Sequence, residues 1–432
     1  MKLKRLTLNH FRRFSEFDIE FDPKLTVLIA RNGAGKSSVL DAVATALGSF
    51  LTRLPKVSGI NPKDTDFQVL ADDKRPPYMR IRCESDSGVS WDRTEKRDQS
   101  TATANEIPPA LGLKALNAYV DEFIDAHNQS APYQLPLFIY YGTGRGVFDI
   151  PQRKGGYGKA FARFDALVGA LDSRTNFKNL VEYFYFLEDK ESKLQQAQRS
   201  FDVVIPELTA IRNAVTRLMP DFSNPRGIHP AGIVVDWQQG EQLKQLRIEQ
   251  LSDGYRTTLA MVMDIAARMA EANPEMEDPL NTEGVVLIDE VDLHLHPGWQ
   301  QTILLDLMRT FPNIQFIVST HSPQVVSSVK PESLRVIDWQ DDEPVLLPMH
   351  FSEGAESQQV LSDVLGVNSA RVEQLPIVQT LKRYQRLVEQ DKWDTEEAET
   401  LRAELDEWGG EYEPELVRLD IDIRMKALDR QD

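Results

Sequence analysis

A loop of eight residues, ARNGAGKS at positions 30–37, combines the residue types that bind a phosphate chain. In a loop of the form G-x-x-x-x-G-K-[ST], backbone N–H groups surround the phosphates, the lysine reaches the β- and γ-phosphates, and the hydroxyl binds Mg²⁺. Lys36 and Ser37 match the last two positions, but Ala30 stands where the pattern has glycine. The first question is therefore whether this loop can still bind a nucleotide.

Ala30 is a tolerable departure from the pattern. Glycine is required only where φ is positive or where a Cβ would collide with the ligand. An alanine held in such a conformation costs about 1–2 kcal/mol, which is too little to abolish a site. Gly33 and Gly35 still flank the closest approach to the phosphates, and Asn32 accepts unusual backbone angles better than most residues. We therefore predict a working nucleotide site.

Two further stretches supply the side chains that phosphoryl transfer requires. In GVVLIDEVD (284–292), Asp289 can hold Mg²⁺, usually through water, and Glu290 can polarise the attacking water. In FIVSTHS (316–322), His321 could hydrogen-bond the γ-phosphate from a neighbouring strand end. Each of these residues alone is common in a structural role. Their occurrence in this order after the loop predicts ATP and Mg²⁺ as the ligands and hydrolysis as the reaction.

A second anion-binding element is LSDGYR (251–256), which opens the apolar helical pattern TTLAMVMDIAARM. Ser252 and the backbone N–H of Gly254 lie at the predicted helix start, where the partial positive charge favours an anion. In isolation, the same residues are an ordinary helix N-cap with a turn glycine. LSDGYR therefore supports a nucleotide site only in combination with the loop at 30–37, GVVLIDEVD and FIVSTHS.

The elements that must position these residues follow from hydrophobic periodicity. LKRLTLNHF and FSEFDIEF alternate apolar and polar residues, which predicts two antiparallel strands. LTVLIA (25–30) is a continuous apolar run, typical of a strand buried on both faces. SSVLDAVATALGSF places its apolar residues at helical spacing. The loop thus lies between a buried strand and a helix N-terminus, which is the setting that phosphate binding needs.

Composition and charge exclude several classes of protein. No apolar run approaches the roughly 18 residues that span a bilayer. The N-terminal MKLKRLTLNHFRRF lacks the apolar segment and cleavage site of a signal peptide, so we expect a cytoplasmic protein that does not enter a membrane. The single cysteine, Cys83, excludes an intrachain disulfide. The net charge of −18 argues against an extended cationic surface for nucleic acid.

The four elements together resemble the ATP-binding-cassette (ABC) ATPases of the RecF, SMC and OLD class, and NHFRRF is similar to the opening strand of that class. The resemblance implies an α/β fold: an ABC-ATPase head with a parallel P-loop sheet and an antiparallel β subdomain, joined by a helical lobe and a helical C-terminal segment. It also implies a homodimer at minimum, in which LSDGYR of one chain contacts the γ-phosphate held by the other. The resemblance adds Arg12 and Ser38 to the candidate ATP-binding residues, and it suggests Gln68 as a further Mg²⁺ ligand.

Under that resemblance, the chain divides into four regions. The pattern predicts the N-terminal half of the head, with a β-rich stretch from about residue 60, and a helical lobe. It then predicts the second half of the head, which begins with a β-hairpin, and a tail with about twice as many acidic as basic residues. The predicted ranges are 1–150, 151–230, 231–350 and 351–432.

A closer resemblance is carried by LPLFIYYGTGRG and by the tail from ESQQVLSDVLGV to LRAELDEWGGEYEPELVRLD. These stretches are similar to the ATPase subunit family (PtuA) of Septu-type anti-phage systems, which also occurs with some retrons. The resemblance implies a complex with an HNH endonuclease, regulated by ATP, and contact with DNA through that complex. The alternative is a stand-alone RecF- or SMC-like ATPase in DNA repair or recombination. The spacing of about 210 residues between the loop and LSDGYR argues against a transporter subunit.

Three other patterns are given structural interpretations. SEGAESQQVL (352–361) and LDID (419–422) imitate the acids of a Toprim nuclease, but the chain between them is predicted to be helical. His294 and His296 lack the further ligands of a zinc site, and His296 with the proline after it predicts a helix start. Asp264 and Arg268 lie four residues apart on one predicted helix, so we expect them to pair.

Overall fold

The computed structural model describes residues 1–70, 74–145, 162–174, 177–228, 232–367, 369 and 371–429. These residues form two compact units, Met1–Val360 and Leu361–Asp432. Within the described ranges, no helix is long and apolar enough to cross a membrane.

The larger unit contains all of the strands and the first nine helices. The strands are β1 Leu3–Phe11, β2 Phe14–Glu20, β3 Leu25–Ala30, β4 Tyr78–Ser85, β5 Ser90–Lys96, β6 Leu137–Tyr141, β7 Phe222–Ile228, β8 Gly232–Gln239, β9 Gln242–Arg247, β10 Gly284–Ile288, β11 Ile314–Ser319, β12 Leu334–Gln340 and β13 Glu343–Leu347. The helices are α1 Lys36–Arg53, α2 Thr101–Glu106, α3 Lys114–Asn128, α4 Lys178–Gln198, α5 Pro206–Leu218, α6 Asp253–Ala272, α7 Pro297–Gln300, α8 Ile303–Thr310 and α9 Pro323–Val326.

A six-stranded sheet in the order β13-β12-β3-β11-β10-β6 organises this unit. The five strands from β12 to β6 are parallel, and only β13 is antiparallel to its neighbour. Every residue of β3, β6, β10 and β11 is buried, as the continuous apolar runs predict for strands covered on both faces. Because the strands are parallel, the carboxyl ends of β3, β10 and β11 meet at one edge of the sheet, and ligands of such sheets bind at this edge.

A four-stranded antiparallel sheet, β2-β1-β4-β5, confirms the prediction of two N-terminal antiparallel strands. Leu8 of β1 pairs with Phe17 of β2 and with Ile81 of β4. The buried Trp91 of β5 donates its indole N–H to the carbonyl of Ala46 in α1, at 3.1 Å. This sheet is thereby joined to the helix that follows the P-loop.

The β-rich character predicted for residues 60–150 is only partly right. β4, β5 and β6 lie where apolar alternation or an apolar run predicts them, but α2 and α3 also form in this region. α3 buries Leu116 and Val120, and the ring of Phe123 lies 6.0 Å from that of Phe50 on α1. The helix forms because its apolar residues recur every three or four positions and cover one side of α1.

The helical lobe contains α4 and α5. On α5, Leu208, Ile211, Val215 and Leu218 recur every three or four residues and form a buried apolar stripe. The predicted hairpin is confirmed as β8 and β9, and β7 joins them as an edge strand. Residues 151–161 of the predicted lobe lie outside the described residues.

The smaller unit is helical, as predicted for the C-terminal segment. α10 Ser357–Asp363 leads into it, and α11 Pro376–Glu389, α12 Glu396–Trp408 and α13 Pro414–Asp429 follow. Leu381, Tyr384, Leu405 and Leu416 are among the residues of its own hydrophobic core. LDID (419–422) lies within α13, so the acids of the Toprim-like pattern are on a helix rather than at strand ends.

Candidate functional site

The loop after β3 has the backbone that the phosphate-binding interpretation requires. Gly33 and Gly35 have φ of 77° and 111°, values that favour glycine. A Cβ on Gly35 would also collide with the ring of Phe14. Ala30 is the last residue of β3 and pairs with Ile337 of β12. Because Ala30 is in extended backbone, its side chain causes no strain there.

The outer side of the loop is held by side chains that the sequence analysis did not assign. The indole N–H of Trp339 donates to the carbonyl of Ala34 at 3.0 Å. The guanidinium of Arg13 lies 4.0 Å from the Trp339 ring centroid and donates to the carbonyl of Gly33 at 3.3 Å. The ring of Phe14, on β2 of the antiparallel sheet, stacks on that of Trp339 on β12. These contacts fix the loop before any ligand is bound.

Lys36 and His321, both predicted to meet the γ-phosphate, are in direct contact. Lys36 Nζ lies 2.6 Å from His321 Nε2 and donates to the carbonyl of Ala30 at 3.1 Å. Burial lowers the pKa of the Lys36 ammonium, although Asp289 and Glu290 act in the opposite direction. Burial, and then the charge of Lys36, lower the pKa of His321. The imidazole is therefore neutral at pH 7, and its Nε2 can accept a hydrogen bond from Lys36.

Asp289 and Ser37 form a second contact at the same edge of the sheet. The hydroxyl of Ser37 donates to Asp289 Oδ2 at 2.8 Å, and the hydroxyl of Ser319 on β11 donates to Asp289 Oδ1 at 2.5 Å. The backbone N–H of Glu290 donates to the same Ser319 hydroxyl oxygen at 2.8 Å. Asp289 is buried and Glu290 half-buried. β3, β10 and β11 together place Lys36, Ser37, Asp289 and His321 in contact in pairs.

Glu290 is held in an unusual backbone conformation, with φ of 49°. The backbone at this point is bound by a buried arginine that the sequence did not indicate. Arg145 donates to the carbonyls of both Asp289 and Glu290, each at 2.6 Å. The only signal in the sequence is its position, in the glycine-rich turn after the buried strand β6.

The remaining residues predicted around the nucleotide are arranged differently. Asn32 is exposed in the loop. Arg12 donates to Asp41 Oδ2 at 2.6 Å, to Asp66 Oδ1 at 2.9 Å and to the hydroxyl of Ser38 at 3.4 Å. It is therefore bound to carboxylates, one of them on the first turns of α1. Its role and that of Ser38 stay predictions.

Gln68 contacts His10, with 3.1 Å between Oε1 and Nδ1. The edge strand beside β10 is β6 and not the segment around Gln68: the N–H of Asp289 donates to the carbonyl of Tyr141, the last residue of β6, at 2.8 Å. The role of Gln68 as a Mg²⁺ ligand stays a prediction. Residue type alone suggested Gln68, because the sequence does not show which strand lies beside β10.

Ser252 and Gly254 are not gathered with the P-loop residues. Ser252 is the N-cap of α6, but its exposed side chain makes no capping hydrogen bond. Gly254 is buried, and a Cβ at this position would collide with the carbonyl oxygen of His294. Ser252, Gly254 and His294 line a cavity of about 380 Å³ together with Tyr255 and Trp299. The glycine is thus required for close packing of the α6 start on the loop after β10, in addition to any anion binding.

Two structural predictions nearby are confirmed. Arg268 Nε donates to Asp264 Oδ2 at 2.9 Å in a buried pair, and the hydroxyl of Tyr141 donates to the same oxygen at 2.7 Å. The Nδ1 of His296 accepts the N–H of Gly298 at 3.2 Å, so His296 caps α7. Among the described residues, no group of three His, Cys, Asp or Glu side chains could hold a metal ion by itself.

The residues at the sheet edge nevertheless fit Mg²⁺ bound with a nucleotide. In such sites the ion keeps several waters and takes one or two protein oxygens in addition to phosphate oxygens. Ser37 and Asp289 offer a hydroxyl and a carboxylate oxygen 2.8 Å apart. The Lys36 ammonium offers hydrogen-bond donors for phosphate oxygens at the same edge of the sheet, with His321 in contact with it.

Comparisons with known proteins agree with this geometry. A family model described as an AAA domain matches residues 5–221, which is half of the chain. The "Retron Vc95 probable ATPase" of Vibrio cholerae serotype O1 biovar El Tor is 26% identical over 93% of this chain and 86% of that protein. The "Retron Ec83 probable ATPase" of Escherichia coli is 27% identical over 99% of this chain and 87% of that protein.

A more local likeness is to the Septu protein PtuA of Bacillus mycoides strain KBAB4. It is 46% identical, but over only 18% of this chain and 10% of that protein. Both retron ATPases are similar over more than nine tenths of this chain, whereas the likeness to this PtuA is confined to a shorter stretch. The chain belongs to the AAA domain family, as an ABC-type ATPase of the RecF, SMC and OLD class related to the ATPases of defence systems.

Proposed function

We propose that this chain binds ATP with Mg²⁺ at the carboxyl edge of β3, β10 and β11 and hydrolyses it. The observation that carries the proposal is the meeting of two pairs, Lys36 with His321 and Ser37 with Asp289, from three separate parts of the chain. Such convergence at the end of a parallel sheet, beside a loop with two positive-φ glycines, is what a nucleotide site requires.

The roles follow from the chemistry of each group. Ser37 and Asp289 would hold Mg²⁺, and a bound ion would neutralise charge on the phosphates. Lys36 would exchange its contact with His321 for the β- and γ-phosphates, and His321 would donate a hydrogen bond to the γ-phosphate. Glu290 would accept a proton from the attacking water.

The exposed Ser252 supports a composite site in a homodimer. Ser252 is exposed at the helix N-terminus and makes no capping bond, and the close contact of Gly254 is with the loop after β10. In the proposed dimer, this element completes the nucleotide site of the other chain, so that each dimer contains two equivalent sites.

Glu290→Gln tests the proposed chemistry. The amide keeps the size of the side chain but cannot accept the proton, so turnover falls about 10²- to 10⁴-fold while ATP affinity stays unchanged. ATP binding and hydrolysis are measured on purified protein with Mg²⁺, with the exposed Glu353→Gln as a control. Turnover of Glu290→Gln equal to that of wild type would remove Glu290 as the base.

We further propose that the ATPase assembles with an HNH nuclease and controls it in anti-phage defence, with DNA contacted through the complex. The support is the relatedness to retron and Septu ATPases, and a C-terminal unit with a core of its own. Trp408 and Tyr412 of that unit are exposed aromatic residues of the kind enriched at interfaces.

Deletion of residues 361–432 tests the docking role. We expect the shortened chain to fold and bind ATP, but to lose co-purification with a nuclease encoded by a neighbouring gene. Full capture of the nuclease by the shortened chain would refute docking through this unit. Joint loss of folding and ATP binding would instead show that these helices complete the larger unit.

A further inference from the structure

Arg145 is a buried cation whose partners are backbone carbonyls. The residue is 3% exposed and lies in the turn after β6. Its Nη1 donates to the carbonyls of Gly142 at 3.1 Å and Asp289 at 2.6 Å, and its Nη2 donates to the carbonyl of Glu290 at 2.6 Å. A buried guanidinium is costly unless hydrogen bonds compensate for the lost water. These three bonds therefore hold the side chain firmly in one position.

The two short bonds fall on consecutive carbonyls of the residues that carry the proposed chemistry. A bidentate donor can hold two carbonyls in a fixed relation only because the guanidinium is planar and rigid. The peptide between Asp289 and Glu290 is also held from its other side, since the N–H of Glu290 donates to the hydroxyl of Ser319. Arg145 and Ser319 thus fix the same short piece of backbone.

That backbone needs external support. Glu290 has φ of 49°, in the left-handed region, where a side chain with a Cβ is disfavoured. Such a conformation persists only when surrounding contacts determine it. With the support removed, the chain can relax toward negative φ, and the carboxylate of Glu290 then points elsewhere.

We propose that Arg145 is a positioning residue for ATP hydrolysis: by binding the carbonyls of Asp289 and Glu290, it holds the backbone that aims the Glu290 carboxylate at the attacking water. The inference rests on the proposed ATPase function. Arg145 is buried and acts through the backbone of Glu290. Arg145 therefore affects the turnover rate, whereas Lys36 and the P-loop determine ATP affinity.

The chain offers a matched control. Arg163 also donates to backbone carbonyls, from Nε to Ala272 at 2.6 Å and from Nη2 to Tyr133 at 2.7 Å. Its partners lie away from the P-loop edge. Replacement of either arginine by lysine keeps the charge and removes the bidentate geometry.

The experiment compares Arg145→Lys and Arg145→Gln with Arg163→Lys in the full chain. We expect kcat to fall about tenfold for Arg145→Lys and about 100-fold for Arg145→Gln, with ATP affinity within about twofold of wild type. Arg163→Lys should leave both unchanged. Loss of ATP binding in Arg145→Lys, or an unchanged kcat, would overturn the proposal. If Arg145→Gln does not fold, Arg145→Lys alone decides.

A double variant separates positioning from a general structural role. In the Glu290→Gln background the base is already absent, so adding Arg145→Lys should lower kcat no further. A full additional tenfold loss would show that Arg145 acts independently of Glu290 and would refute the inference. Absence of hydrolysis by wild-type protein would instead refute the proposed function, so the two failures are distinguishable.

Discussion

The P-loop edge and the start of α6 are the two halves of the proposed ATP site, and they differ in how complete they are. At the P-loop edge, the polar side chains already contact one another, as the Lys36–His321 and Ser37–Asp289 pairs show. At the start of α6, the exposed Ser252 makes no capping bond, and the close contact there is the packing of Gly254 against the carbonyl of His294. The P-loop edge is thus organised within one chain, whereas the start of α6 has an exposed serine that is available to another chain.

This difference indicates which part of the site determines ATP affinity and which part determines the rate of hydrolysis. A pre-organised P-loop edge loses little entropy when ATP binds, so a single chain should suffice for affinity. An incomplete second half makes hydrolysis depend on another copy. The following experiments test this division.

The largest effect is expected from mixing two inactive variants. Lys36→Ala removes phosphate binding in its own chain, and Ser252→Arg blocks the element that acts on the other chain. Each alone should hydrolyse no ATP, whereas a one-to-one mixture should recover about a quarter of wild-type turnover, because half of the dimers contain one intact site. Hydrolysis is measured after mixed dimers are shown to form. No recovery, with a single intact site known to suffice, would contradict the composite site.

A smaller effect is expected from Gly254→Ala. The added Cβ meets the carbonyl of His294, so α6 or the loop after β10 must shift, at a cost of about 1–3 kcal/mol in the free energy of unfolding. Hydrolysis should fall while ATP binding to the P-loop persists. Gly298→Ala is the control, because a Cβ there makes only an ordinary contact with His296. Equal stability of the two variants would show that the close approach at Gly254 is unimportant.

The smallest effect is expected from Ala30→Gly, which restores the glycine of the P-loop pattern. Ala30 is a buried residue of a central strand, where glycine is less stable than alanine by about 0.5–1 kcal/mol. We expect a slightly lower melting temperature and unchanged ATP affinity. Tighter ATP binding by the glycine variant would show that Ala30 does damage the loop.

Much of the fold was predictable because it is encoded in local patterns. The buried strands, the α5 stripe and the β8–β9 hairpin each follow from periodicity within one segment. α3 was missed although its apolar residues recur at helical spacing. β7 carries no such pattern: it contains Pro225, and its register with β8 shifts between Ser223 and Arg226. An edge strand can accommodate such residues, but they predict a loop.

The site was predictable where chemistry depends on residue type within a motif, and not where it depends on strand order. The proposed roles of Lys36, Ser37 and Asp289 follow from their motifs, and these residues lie at the same edge of the sheet. Arg145 could not be found this way, because its partners are backbone carbonyls about 144 residues distant, which leave no trace in the side chains. The role of Gln68 as a Mg²⁺ ligand stays a prediction.

The position of β3 in the central sheet has a consequence for biosynthesis. Both of its neighbours, β11 and β12, come from residues after position 313, whereas β3 itself ends at Ala30. During translation, the P-loop strand therefore emerges early and waits for partners until nearly the whole larger unit has been made. Until then its two hydrogen-bonding edges are open, a state that invites wrong pairing and chaperone binding. A chain terminated before β11 would contain the P-loop motif but lack both strands that flank β3, so we expect it to form no ATP site.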